Sequence, residues 1–179
     1  MGERSVNHCE NLTADRKLGD HWERQFCVMM ANQGKMFTPM QIGRSSSAVA
    51  WAKTNGHWNH FTLPDVTVWT YPGEHHELKH KTATRHGSYG LERYRLDALV
   101  GFARETDQDV FYTIHDHHGN RDDLTNHLGD WVTANVMTLA DCIELERWGD
   151  SYVGGAKKRV PICYWSSQFF FRPLFVNNQ

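Results

Sequence analysis

Apolar residues recur along the chain in patterns that assign most of its elements. Leu18, Trp22, Phe26 and Met29 return at helical spacing, so residues 12–33 are predicted to form a helix. Thr13 or Asp15 stands at its start, and Gly34 sits where a helix stops. Residues 36–42 (MFTPMQI) read as a short strand, confined by Pro39 to an edge or a bulge. Residues 43–60 show no period and are expected to form a long loop, with a short helix over 47–53. Residues 65–70 (DVTVWT) alternate and are β-branched, which predicts a strand; Tyr71-Pro72-Gly73-Glu74 has turn composition, and residues 75–81 (HHELKHK) form the return strand of a hairpin.

A polar loop over 82–90 precedes a second helix at 91–104, whose apolar positions Leu91, Leu96, Leu99, Val100 and Phe102 cover the broad arc expected of a helix on a sheet. Residues 109–115 (DVFYTIH) are nearly continuously apolar, as a strand covered on both faces should be. Two more helices are expected over 123–137 and 139–148, with Thr138-Leu139-Ala140-Asp141 resembling a capping box. The tail, 160–176, is apolar and aromatic and is expected to close the sheet as a strand or strand pair, or to face a partner. This order predicts an α/β layered fold with a central mixed sheet.

Composition narrows the class. At 179 residues, 40% hydrophobic and 22% charged, one globular domain over 1–179 is the expectation, and wholesale disorder is excluded. No apolar run reaches the roughly 20 residues of a membrane span, and the first residues lack an apolar signal core, so no membrane partner is expected. Cys9, Cys27, Cys142 and Cys163 form no CxxC pair, which argues against a disulfide framework or a thiolate zinc site and points to a reducing interior.

Charge is segregated although the total is only −2. Residues 75–104 carry +3 and 151–179 carry +4, whereas 105–150 carry −9. Such separation marks either opposed surfaces, one suited to a polyanion, or a solvated acidic region.

The chemistry concentrates in the hairpin. Glu77 and Lys79 lie two apart on a strand and therefore share a face, with Leu78 on the other. Asp65 opens the partner strand, and a short turn permits it to converge with Glu77. Paired carboxylates favour hard cations such as Mg²⁺, and an adjacent ammonium offsets developing negative charge, orients a water or, with its proton lost, acts as a base. Glu23 borders the packed side of the first helix, where a carboxylate is costly unless paired or metal-bound. Each feature alone has an ordinary reading: a solvated strand pair, a turn, a surface helix residue. Their co-occurrence distinguishes them.

The run Pro64-Asp65, an eleven-residue gap (66–76) and Glu77-Leu78-Lys79, with Glu23 on the preceding helix, resembles the PD-(D/E)XK nuclease superfamily. The resemblance covers roughly residues 12–116, leaving 117–179 as a C-terminal elaboration, and extends to an αβββαβ element order of the restriction-endonuclease-like core. It is closest in type to small phage or bacterial endonucleases and resolvases. It implies a metal-dependent endodeoxyribonuclease using Mg²⁺, with Mn²⁺ able to substitute. Asp65 and Glu77 would hold the metal with the Leu78 carbonyl, Glu23 would be a further ligand, and Lys79 would position or activate water. It also implies DNA as partner, a homodimer for two-fold substrates, and a cytoplasmic setting in a bacterial cell or phage-infected host. The long 43–60 segment, the histidines around Glu77 and the acidic 105–150 stretch depart from the pattern.

Lys81, Arg85 and Arg95 follow the site and are candidate phosphate contacts, as are Lys157, Lys158 and Arg159. Arg93–Asp97 is an alternative helix-surface pair. His115-Asp116-His117-His118 is a candidate imidazole metal cluster, and Phe169, Phe170, Phe171 and Phe175 a candidate dimer surface. The rival functions are a junction resolvase or exonuclease of the same superfamily, a non-catalytic nucleic-acid-binding module, and a histidine-metal hydrolase, which would prefer Zn²⁺.

Overall fold

The computed structural model describes residues 8–39, 64–69, 73–81, 83–84, 87–117, 129–153 and 156–172, with side chains described outside 8–16, 152, 153 and 156. The first helix, α1 (His8–Asn32), begins earlier than its apolar period shows and ends where expected. Gly34, at φ +68°, takes the left-handed position that a side chain would strain. Lys35 N donates to Met30 O and Gly34 N to Ala31 O, which is the Schellman closure. Leu18, Trp22, Phe26 and Met30 form the buried stripe. Met30 replaces the expected Met29, which is only partly buried beside it.

Strands β1 (Phe37–Pro39), β2 (Val66–Val68) and β3 (Glu74–Lys81) pair antiparallel in succession. After β4 (Ser88–Glu92), helix α2 (Arg93–Thr106) returns the chain to β5 (Asp109–His117), which lies parallel to β3. Strand β6 (Gly129–Asn135) adds antiparallel to β5, giving a five-stranded mixed sheet in the order β1-β2-β3-β5-β6. Helix α3 (Val136–Asp141) follows, then β7 (Leu145–Val153) and β8 (Ala156–Ser166), which form with β4 a second, antiparallel sheet in the order β4-β8-β7. The α/β class and the central mixed sheet are therefore as expected. The order helix, three strands, helix, strand runs from α1 to β5, with β4 inserted before α2.

The sheet is packed on both sides. On one, Leu96, Leu99, Val100 and Ala103 of α2 meet Val110, Tyr112 and Ile114 of β5, joined by Leu91, Cys163 and Trp165 of the second sheet. On the other, Phe26 and Met30 of α1 meet Val66, Val68 and Leu78. Each such buried side chain contributes about 1.5–3 kcal/mol.

Three expectations are corrected. Residues 129–135 are a strand, not the end of a 123–137 helix; Trp131, Val132 and Thr133 pair with β5, and that partner is invisible to a local period. Residues 139–148 are not one helix either. The short α3 is capped by the Asn135 side chain on Met137 N rather than at Thr138, and Leu145 onward pairs with β8. The loop assigned to 82–90 ends in β4, which also takes Leu91 and Glu92 from the helix expected over 91–104. Gly90, the last residue of that expected loop, is a strand residue whose missing Cβ would lie 2.8 Å from the Tyr164 ring, so it permits close passage of β8. The expected 47–53 helix and the 71–72 turn lie outside the described residues.

The second sheet is tied to the first and to α3 by polar contacts. Tyr89 Oη donates to Asp116 Oδ2 at 2.6 Å, Tyr112 Oη to the Gly90 carbonyl at 2.9 Å, and Trp165 Nε1 to the Leu139 carbonyl at 2.7 Å. No helix among the described residues is long and apolar enough to cross a membrane.

Candidate active site

The β2–β3 register pairs Val66 with His76, so one further step sets Asp65 opposite Glu77. Asp65 Oδ2 accepts a hydrogen bond from Leu78 N at 2.7 Å, which fixes the carboxyl against the strand. Glu77 is fully buried. Lys79 Nζ donates to Glu77 Oε1, lies 3.2 Å from the Leu78 carbonyl oxygen, and is 3.9 Å from Asp65 Oδ2. Asp65, Glu77 and Lys79 are thus brought together at one end of the hairpin.

A fourth group completes the cluster. Arg95, in the first turn of α2, donates through Nε to Glu77 Oε1 at 3.0 Å and through a terminal nitrogen to Oε2. The sequence makes it a candidate phosphate contact; in the fold its fork closes on a carboxylate. Its place was hard to read because α2 crosses the sheet at an angle no local pattern encodes.

Charge and burial set the protonation states. Burial pushes the Glu77 carboxyl up, but Lys79 and Arg95 outweigh it and hold it at about 2. Burial, then the Glu77 charge, push Asp65 up to about 7. Burial works against the Lys79 ammonium, yet Glu77 and Asp65 carry it above its ordinary value. Lys79 therefore stays protonated, which suits orienting a water and offsetting charge, and does not suit a base.

The donor set matches a hard divalent cation in kind: two carboxyls and a backbone carbonyl. Among the described residues no three His, Cys, Asp or Glu side chains are spaced to hold a metal. Glu23 faces Leu78, Lys79 and His80 across a small cavity with Gly19 and Trp22, near enough for its charge to raise Asp65 slightly, but it does not complete a three-carboxylate cage. Two protein carboxylates with water and substrate oxygens is nonetheless an ordinary Mg²⁺ arrangement.

The other candidates are spread more widely. Lys81 extends along the same face as Glu77 and Lys79, half-buried, with Nζ on the Gly90 carbonyl and 5.8 Å over the Tyr112 ring. Burial lowers it to about 8. It bridges the two sheets instead of reaching outward to a phosphate. Arg93 makes the expected pair with Asp97, at 2.9 Å. Lys157, Lys158 and Arg159 are exposed on β8, Lys157 paired with Asp150 at 2.8 Å. Arg85 lies outside the described residues.

His115 and Asp116 point to opposite faces of β5. Asp116 accepts from Tyr89, while His115 stacks on Trp22 with ring centroids 3.6 Å apart and meets His80 Nδ1 to Nδ1 at 3.1 Å. The run 115–117 is therefore divided between faces by strand alternation, and His118 lies outside the described residues. Of the aromatic tail, Phe170 is buried against Tyr89 and Tyr112, so it belongs to the core and not to a dimer surface. Phe171 is exposed, with its backbone bridged to Thr133; Phe175 lies outside the described residues.

Comparisons with known proteins add little to this geometry. No family model matches the chain. No curated protein matches it either. Among solved structures, the chain is similar to a Holliday junction resolvase, Hjc, from the archaeal hyperthermophile Archaeoglobus fulgidus. Identity is 13%, with 84% of this chain and 85% of that chain covered, at a TM-score of 0.48. A likeness of that grade assigns no residue and no activity.

Proposed function

We propose that the chain is a divalent-metal-dependent nuclease of the PD-(D/E)XK type that hydrolyses phosphodiester bonds in DNA. The observation that carries this reading is the convergence of Asp65, Glu77 and Lys79 at one end of the β2–β3 hairpin, on the strand face covered by α2. A polyanion-binding module has no physical reason to bury two carboxyls there. Mg²⁺ or Mn²⁺, when bound, would lower the pKa of a water and neutralise phosphate charge.

Asp65 and Glu77, with the Leu78 carbonyl, would hold that ion. Asp65 is fixed by Leu78 N, so its orientation costs nothing on binding. Lys79 keeps its proton, donates to an attacking water or a phosphate oxygen, and offsets negative charge as the bond breaks. Glu23 lies near the site as an outer group that adds negative potential. The exposed Lys157, Lys158 and Arg159 supply sequence-independent attraction to the DNA backbone.

Incubation with linear, branched and single-stranded DNA, and with RNA, in Mg²⁺, Mn²⁺ or EDTA tests the assignment and sorts endonuclease, resolvase and exonuclease behaviour together. Cleavage is expected with either metal and none with EDTA. Asp65→Asn and Lys79→Ala should each lower cleavage at least about 100-fold. A Lys79→Ala protein that cuts at the unaltered rate would overturn the role given to that lysine.

A further inference from the structure

Both oxygens of Glu77 are already held by cations. Arg95 grips Oε1 and Oε2 with two parallel N–H groups, and Lys79 adds a third donor at Oε1. A guanidinium fork on a carboxylate is among the stronger side-chain pairings, and it occupies the lone pairs a metal ion needs. The Arg95 side chain retains 23% exposure while that of Glu77 has none, so the guanidinium reaches solvent, where a phosphate can approach it, and the carboxylate does not. Arg95 also sits beside exposed Tyr94 in the first turn of α2, on the rim of the site.

We propose that Arg95 is a resident counter-ion on Glu77 that excludes the divalent cation until a DNA phosphate draws the guanidinium away. This rests on reading Asp65 and Glu77 as cation ligands. It goes further by making metal affinity conditional on substrate. A phosphodiester offers the fork the same bidentate geometry as a carboxylate, so the exchange keeps the hydrogen bonds of Arg95 while releasing Glu77. Metal and DNA then bind with positive coupling, and by linkage each raises the affinity of the other by one factor. The arrangement keeps metal-driven hydrolysis shut off until the polymer is in place. Arg95 acts through Glu77 and is a positioning residue. It carries a burial-resistant charge, since Glu77 and Asp65 hold it above its ordinary value.

The test is Mn²⁺ binding to the whole chain without DNA, read by electron paramagnetic resonance of the unbound ion. Arg95→Gln should bind Mn²⁺ at least about tenfold more tightly than the unaltered protein, since a charge-assisted hydrogen bond is worth about that factor or more. Arg95→Lys, which keeps one charge and loses the fork, should fall between the two. A cleavage-resistant phosphorothioate duplex should tighten Mn²⁺ binding to the unaltered protein by a larger factor than it does in Arg95→Gln, because only the unaltered protein also gains the release of Glu77.

A purely structural role for Arg95 would leave Mn²⁺ affinity level or weaken it, and that result overturns the proposal. So does equal tightening by DNA in both proteins. If Arg95→Gln does not fold, Arg95→Lys decides: affinity no higher than that of the unaltered protein overturns the proposal. The nuclease reading fails separately. Gained Mn²⁺ affinity in Arg95→Gln, with no cleavage by the unaltered protein on any substrate, sustains the counter-ion and removes the activity; no Mn²⁺ binding to any of the proteins removes both.

Discussion

Strand β3 turns His75, Glu77, Lys79 and Lys81 toward α2, and His76, Leu78 and His80 toward α1. Neither side is the plain apolar surface expected of a strand in the middle of a sheet. On the α2 side the middle of the strand is satisfied by opposite charge, Glu77 by Arg95 and Lys79 with Asp65 alongside, while Lys81 meets the Gly90 carbonyl. On the α1 side they are imidazoles packed as rings. His80 and His115 lie against Trp22, and His76 against Phe26 and Phe111. Thr113 Oγ1 is 2.9 Å from His76 Nδ1. A buried strand can therefore carry polar residues by two routes, compensated charge or neutral stacking. The first gathers carboxylates suited to a hard cation beside cations suited to a phosphate. Chemistry collects where charge is paired, and packing where it is absent.

Glu77→Gln is the sharpest way to break the charged side. It strips the partner from two cations, so it should cost about 3–5 kcal/mol in urea unfolding and abolish cleavage together. If stability were unchanged, the cluster would not be buried as described. Trp22→Ala is the counterpart on the ring side. A loss of about 3 kcal/mol is expected from the cavity, with cleavage retained well below the melting temperature.

His76→Gln separates the two sides by pH. Burial first, only partly offset by Glu74, holds His76 below its ordinary value of 6.5. The unfolded chain then takes up a proton the folded chain refuses, so this group's contribution to stability is lost as pH falls below about 6.5. Asp65, raised to about 7, acts in the opposite sense between its ordinary 3.8 and 7, since there the folded chain holds the extra proton. The quantity to measure is therefore the difference between the unaltered protein and His76→Gln across pH 5–8. It should shift against the unaltered protein as pH drops; a flat difference would remove the neutral-ring reading.

The smallest effect belongs to the surface. Replacing Lys157, Lys158 and Arg159 together by Ala should change stability by no more than about 0.5 kcal/mol. It should weaken DNA binding evenly across sequences and flatten its salt dependence by about one counterion per lost contact.

Much of this was legible in the sequence. The α1 stripe, the β2–β3 hairpin, α2 and β5 announce themselves because each has a period matched by its own local packing. Asp65, Glu77 and Lys79 were legible because strand alternation and one register step decide which side chains meet. Arg95 was legible as a basic residue and not as a partner of Glu77, since helix-to-sheet placement is tertiary. β4, β6 and β7 were missed for a related reason. Their pairings depend on partners far along the chain, and the glycines at 90 and 149 make room for Tyr164 and Ile162. The histidines near Glu77 gave no clue to their roles, because ring stacking leaves no spacing rule behind.

One carbonyl has an effect larger than its size. The Gly90 oxygen receives the Tyr112 hydroxyl and the Lys81 ammonium, both from the central sheet. The small sheet therefore cannot peel away by loosening one tether at a time: a single displacement of β4 severs two bonds and uncovers a lysine and a tyrosine at once. Partial opening is penalised about as heavily as full separation, so amide protons of β4 and β8 should exchange with solvent at the pace of the central strands, and the two sheets should melt as one cooperative unit.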